Sequence, residues 1–281
     1  MATAFKTSFS RLTNAFIGTQ KSLNCGFFEI HPATAAEILA HRNVQNRKVA
    51  LSKLAQTCDD IREGRFLING ESVIFSDTGY LLDGQHRLSG CVETNIPIIT
   101  LVAFGISEEA RRTIDTGKGR TVGDIAQLGG IADGNNITTI ARLMIAYQRG
   151  GGEQLTRTTD ISAGEILDFI EMTPEIHDLN KWAAHYQTGL VSVMPRTILA
   201  AARMILEPKF GPRIVQYLEQ VGSGESIKAG DPAFSVRRRL FGAKKTRAVS
   251  LEAVLRGAVA FHEGRQLSRV EINNRFPAIV G

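Results

Sequence analysis

Halfway along the chain the apolar pattern changes its period, and that change restricts the fold more than any single motif does. Before about residue 125, short apolar runs at 25–30, 72–76 and 98–104 alternate with helical stretches and are punctuated by the turn signals Asn69-Gly70 and Asp77-Thr78-Gly79. Strands and helices that share one small sheet are written this way. Beyond Gly129-Gly130 and Asp133-Gly134-Asn135-Asn136 strand-like alternation almost disappears, and helical spacing predicts helices over 137–148, 162–172, 174–186, 192–206, 210–220, 232–241, 249–262 and 267–274. The expected class is α+β, with a small mixed-sheet domain over 25–130, preceded by a loose arm (1–24) and followed by an all-helical domain (131–281).

With 281 residues, 43% hydrophobic and 22% charged, the chain can bury a core in each half and has the balance of a soluble globular protein. Its 33 Lys and Arg against 28 Asp and Glu leave a formal charge of +5, which permits an anionic partner without requiring one. Cys25, Cys58 and Cys91 are too far apart for a zinc cluster and form no evident disulfide framework, so a reduced, cytoplasmic setting is expected. The first residues are basic but lack a continuous apolar stretch, which does not read as a signal peptide, and nothing approaches the ~20 apolar residues of a membrane span.

Local signals fill in the first half. Pro32 suits the first turn of a helix continuing from Thr34, and Val49, Leu51, Leu54, Ala55, Cys58 and Ile61 form one stripe of a helix over 46–64 with Gly64 as its stop. Residues 66–82 predict a small antiparallel ribbon. A short helix follows from Leu88, then a strand, then a helix over 108–115 capped by Ser107 and ended by 116–119, and another helix from Thr121.

The ribbon delivers the chain into Asp83-Gly84-Gln85-His86-Arg87. A helix that starts after a glycine turn presents unpaired N–H groups and a partial positive charge, which suit a phosphate. Gly84 lets the backbone approach, and Arg87 adds a planar fork of donors. His86 can hydrogen-bond a ligand or carry a proton, and Asp83 can orient a hydroxyl, accept its proton or hold Mg2+. The bland alternative is an Asp-Gly turn with a packing histidine and an arginine paired to Asp83 or Glu93.

The string GYLLDGQHRL at 79–88, preceded by Asn46-Arg47 and by a helix that ends IREGRF at 61–66, resembles the ParB N-terminal-like domains of phage and bacterial genomes within the ParB/sulfiredoxin group. The likeness runs from Phe27 to Asp124, under half the chain. It implies a nucleotide-binding fold in a bacterial cell or phage-infected host. Gly84, His86 and Arg87 match the phosphate-holding positions. Gln85 stands where sulfiredoxins carry their reactive cysteine, which removes that chemistry. Asp83 is similar to the acidic residue of the free-serine kinases of the group, which act with a second carboxylate: here Glu29, or less favourably Glu71. Arg47 resembles the arginine that opens the long helix and reaches a phosphate.

Two further basic features stand out. Asp115, Lys118 and Arg120 lie on a glycine-rich turn that can present N–H groups to an anion. Arg237, Arg238, Arg239, Lys244, Lys245 and Arg247 form an acid-free run suited to nucleic-acid phosphates, with a solvated helix face as the equal alternative. Trp182, His185 and Tyr186 share one helix face and read as packing between domains, with ligand contact as the minority reading.

The leading expectation is a nucleoside triphosphate site for ATP or CTP with Mg2+, in which Asp83, His86 and Glu29 carry out phosphoryl transfer or hydrolysis. Alternatives are a DNA-binding protein switched by a nucleotide, a metal-dependent DNA nuclease, and a structural or regulatory protein with an inactive site. No membrane partner is expected, and a homo-oligomer is left open.

Overall fold

The computed structural model describes residues 10–44, 46–114, 120–150, 160–186, 193–241, 246–273 and 275–279. The chain divides into two compact units, Met1–Gly119 and Arg120–Gly281. The line drawn at 130 from sequence therefore sits one helix further along than the division itself.

The first unit is built on a five-stranded mixed sheet. Its strands are β1 (Ser10–Arg11), β2 (Asn24–Ile30), β3 (Ser72–Ser76), β4 (Leu81–Asp83) and β5 (Ile98–Ile106), in the spatial order β1-β2-β5-β3-β4. β5 is central: it runs antiparallel to β2, from Asn24↔Phe104 to Ile30↔Ile98, and parallel to β3. Helices α1 (Asn14–Thr19), α2 (Pro32–His41), α3 (Leu51–Arg62) and α4 (Gln85–Thr94) accompany the sheet, and a 3-10 turn spans Glu108–Arg112. Alternation along the strands sends Phe28, Ile30, Val73, Phe75, Val102 and Phe104 into the core, where Ala35, Ile38, Ile61, Leu88 and Cys91 meet them from the helices. Phe104 stacks on Phe75 with ring centroids 5.6 Å apart and meets Phe28 edge-on at 5.7 Å. Cys91 is fully buried, and burial pushes its thiol up to about 11.

Three local expectations for this unit are corrected. The arm is not loose over its described part: Leu12 and Ile17 are buried, and Ser10 and Arg11 pair with Phe28 and Glu29. Residues 46–50 are not helical. Asn46 donates to the Leu81 carbonyl at 2.8 Å and accepts from Arg111 at 2.8 Å, so side-chain bonds stitch this segment to β4. Residues 66–71 form no strand, because the Asp60 carbonyl accepts from both Arg65 and Phe66 N–H and folds the chain back over the end of α3.

The second unit is helical among its described residues: α5 (Val122–Leu128), α6 (Gly134–Gln148), α7 (Ala163–Met172), α8 (Ile176–His185), α9 (Arg196–Phe210), α10 (Arg213–Ser223), α11 (Pro232–Leu240) and α12 (Arg247–His262). Thr121 and Asp124 form a reciprocal capping box on α5, and Ser162 and Thr246 cap α7 and α12. α12 has small or apolar residues nearly all round, the pattern of a buried helix, and Leu251, Val254, Leu255 and Ala258 are fully buried. Among them Tyr217 donates to the Val254 carbonyl at 2.8 Å.

The helix expected over 267–274 is absent from its described residues. Ser235 and Arg238 donate to the carbonyls of Leu267 and Ser268, and Asn273 N–H donates to Glu252 at 3.0 Å. Side chains of α11 and α12 thus satisfy backbone groups that a helix would have paired internally. Among the described residues no helix is long and apolar enough to cross a membrane.

Candidate anion-binding cleft

Local chain chemistry places the start of α4 against the sheet. Gly84, its N-cap, has φ 102° and ψ 6°, a conformation that favours glycine. A Cβ at this position would stand 2.8 Å from Val73 Cγ2 and 3.0 Å from Val73 Cα, so β3 passes too close for any side chain. No side chain caps α4, which leaves the N–H groups of its first turn without a capping partner.

These groups border a cleft of about 820 Å³ in the first unit. Arg47, Lys48, Lys53, Arg65 and Arg87 line it, against the carboxylates Asp60, Glu71 and Asp83, so cations exceed anions by two, five to three. Arg65 is held by Asp60 at 3.2 Å. Arg87, with its side chain only 17% exposed, donates to the Ser72 carbonyl at 3.0 Å and pairs with Glu71, while Asp83 stands 3.9 Å away. Two of its five N–H donors are thereby committed to protein partners. The Glu71 side chain is 67% exposed, so a stronger anion can displace it at little cost.

His86 has a different task from the one its sequence position suggests. Its Nε2 accepts the Ala50 N–H at 3.1 Å, which puts the proton of the neutral ring on Nδ1. Burial, then the neighbouring Arg47 and Lys53, hold its pKa below the ordinary 6.5 despite Asp83. A neutral imidazole whose lone pair is already engaged ties the 46–50 segment, and with it Arg47 and Lys48, to the cleft.

The structure brings Asp83, Gly84, His86, Arg87 and Arg47 together at this cleft. Gln85 is buried and does not line it, and its Oε1 has no hydrogen-bond partner. Glu29 is elsewhere. It lies on β2, separated from β4 by β5 and β3, roughly 14 Å at ordinary strand spacing, and pairs with His31 at 3.2 Å. Glu71, the less favoured candidate, is the carboxylate that shares Arg87 with Asp83. Sequence reasoning missed Lys48 and Lys53, whose only signal was their place around a helix start facing the loop. Among the described residues no group of three or more His, Cys, Asp or Glu is arranged to hold a metal. Magnesium needs only one or two carboxylates when phosphates complete its shell, and Asp83 with Glu71 fits that demand.

Asp115 and Lys118 lie outside the described residues, and Arg120 is exposed in the second unit. In the basic run, Arg237 is folded into the protein: it donates to the Val221 and Gly222 carbonyls at 2.7 and 2.8 Å, and burial lowers its pKa. Arg238 donates to the Ser268 carbonyl and rests over Phe234. Arg239 is half-buried, Arg247 is exposed, and Lys244 and Lys245 lie outside the described residues. Among the described residues of the run, Arg237 and Arg238 thus have their guanidinium groups engaged on backbone carbonyls. Trp182 packs beneath the Arg203 guanidinium at 4.6 Å, and Tyr186 donates to Glu219 at 2.7 Å, so part of that aromatic face is engaged within the second unit.

Comparison with protein-family models, with curated proteins and with solved structures finds no match to this chain.

Proposed function

We propose that the cleft of the first unit binds a nucleoside triphosphate with Mg2+ and supports phosphoryl transfer or hydrolysis, in a domain of the ParB/sulfiredoxin type. The observation that carries this reading is the convergence of an uncapped helix start, crowded onto β3 at Gly84, with the side chains of Arg47, Lys48, Lys53 and Arg87 around one cleft. Backbone N–H groups and cations converging on one volume favour a polyphosphate over a single carboxylate. Phosphoryl transfer asks the protein mainly for positioning and charge compensation, and these groups supply both. Asp83 and Glu71 are the residues that would hold the metal, which would supply charge neutralisation for the phosphates. Asp83 is also the group placed to accept a proton from water or an acceptor hydroxyl. His86 is a positioning residue in this reading, because its Nε2 lone pair is spent on Ala50. The nuclease alternative asked Asp83, His86 and Glu29 to meet, and Glu29 lies across the sheet.

Calorimetric titration with ATP, CTP and GTP, each with magnesium, tests the proposal. Saturable binding of one nucleotide is expected, weakened at least tenfold in Lys53→Ala and abolished in Arg87→Ala. Lys53 is exposed, so its variant keeps the fold even if loss of the Arg87 contact to Ser72 does not. Failure of folded wild-type protein to bind any of the three would remove the triphosphate reading.

A further inference from the structure

A second concave surface lies in the helical unit and has no part in the cleft. Glu175, Asp178, Leu179 and Trp182 follow one another at i, i+3, i+4 and i+7 from the N-cap of α8, so they share one helix face. Opposite them, α9 contributes Arg203, Met204, Glu207 and Pro208, and the two rows enclose a groove of about 620 Å³. Leu179, Trp182, Met204 and Pro208 give it an apolar floor.

The charge on its rim is one-sided: three carboxylates, Glu175, Asp178 and Glu207, against Arg203 alone. Arg203 is committed, donating to Glu207 at 2.7 and 3.4 Å and lying 4.6 Å from the centre of the Trp182 ring. Asp178 has Lys181 at 3.5 Å, but both side chains are more than three-quarters exposed and such a pair holds little. Pro208, having no N–H, leaves the Met204 carbonyl without its i+4 helical donor. Met172, three residues before Glu175, is 77% exposed, and methionine is an adaptable contact for apolar side chains.

We infer that this groove docks a basic, amphipathic segment of a partner protein, its Leu-like side chains on the floor and its Lys or Arg side chains on Glu175 and Asp178. Charge complementarity selects that occupant. The rim is acidic in a chain whose net charge is +5, and Glu175 and Asp178 stand about one turn apart at the start of α8, a spacing that two cations of a helical segment can match. An amphipathic helix laid in a groove presents anchors at i, i+3, i+4 and i+7, the spacing that α8 itself offers.

Trp182 is the chain's single tryptophan, so its fluorescence reports occupancy directly. The full chain is titrated with an 18-residue peptide of Lys and Leu at helical spacing, and in parallel with Glu/Leu and Lys/Ser peptides and with phenethylamine. The expected result is a saturable emission change with the Lys/Leu peptide only, weakened at least tenfold in the charge-reversed Glu175→Lys, Asp178→Lys double variant. Both positions are exposed, so the double variant should stay folded, melting slightly lower because two lysines oppose the positive end of the α8 dipole. No saturable change, or undiminished affinity in the double variant, would overturn the inference. An equal response to the Lys/Ser peptide would reduce the groove to a charge patch and overturn it as well. Saturation by phenethylamine in the same range would make it a small-amine site and count against a peptide partner.

Discussion

Gly84→Ala is the most informative single substitution, because two separable costs meet at that position. An alanine at φ 102° occupies a sparsely populated region, worth about 1–3 kcal/mol. Its Cβ would also press on Val73 at 2.8 Å, and Val73 is a fully buried core residue that cannot retreat, which adds about 1–3 kcal/mol of overpacking. The sum is roughly 2–6 kcal/mol. Gly64 is the internal control. It has φ 70°, but nothing lies within 4 Å of a Cβ there, so Gly64→Ala costs only the backbone part, about 1–2 kcal/mol. With a urea slope near ~2 kcal/mol per M, the midpoint should fall by about 1–3 M for Gly84→Ala and by about 0.5–1 M for Gly64→Ala. Far-ultraviolet circular dichroism follows both units and Trp182 fluorescence the second alone, so a transition seen by circular dichroism and not by fluorescence belongs to the first. If the circular-dichroism midpoint of Gly84→Ala falls no further than that of Gly64→Ala, the close packing of the α4 start on β3 is refuted, and the cradle argument goes with it.

Three other outcomes follow from the geometry. His86 has a folded pKa below 6.5, so the unfolded chain takes up the proton first as pH falls; its contribution is complete above 6.5 and is lost as pH drops through the lowered value. Urea midpoints measured from pH 7.5 to 5 should decline more steeply for wild type than for His86→Gln, whose carbonyl can still accept the Ala50 N–H; parallel slopes would refute the assignment. Arg237→Ala should cost about 2 kcal/mol in thermal unfolding, from the loss of its charged bonds to Val221 and Gly222, whereas Arg247→Ala should stay within about 0.5 kcal/mol of wild type. Glu252, 2% exposed, holds Arg256 at 2.9 Å and the Asn273 N–H, so Glu252→Ala should cost about 3–5 kcal/mol and expose 267–273 to protease; unchanged proteolysis would count against it.

The parts of the fold that could be read from sequence are those with a period. The apolar alternation of β2, β3 and β5 and the stripes of most helices were legible because burial on one face imposes 2.0 or 3.6 spacing. β1 has two residues, too few for any period, and the fixing of 46–50 depends on Asn46 finding a carbonyl 35 positions away. The loop at 83–87 was legible as a glycine turn into a helix start from residue types alone. Its partners were not: the letters favoured Glu29 over Glu71, and only strand order puts Glu71 beside Arg87 and Glu29 across the sheet. Charge counting likewise could not tell that Arg237 and Arg238 would spend their guanidinium groups on backbone carbonyls. Trp182 stood out in the sequence, but the acidic rim around it needed α8 and α9 to be placed side by side.

The central position of β5 also sets an order of assembly during synthesis. β2 and β3 touch no common neighbour except β5, which is last of the five strands to emerge. Until residue 106 has left the ribosome, β3, β4 and α4 can form only a local hairpin and helix, and β2 has no antiparallel partner. Closing β2 onto β5 joins positions 24 and 104, a long loop whose entropy must be offset in a single step. The polypeptide therefore carries the 83–87 loop early but unsupported. A nascent chain stalled near residue 96 holds every residue from Asp83 to Arg87 and still lacks the central strand of the sheet they pack on.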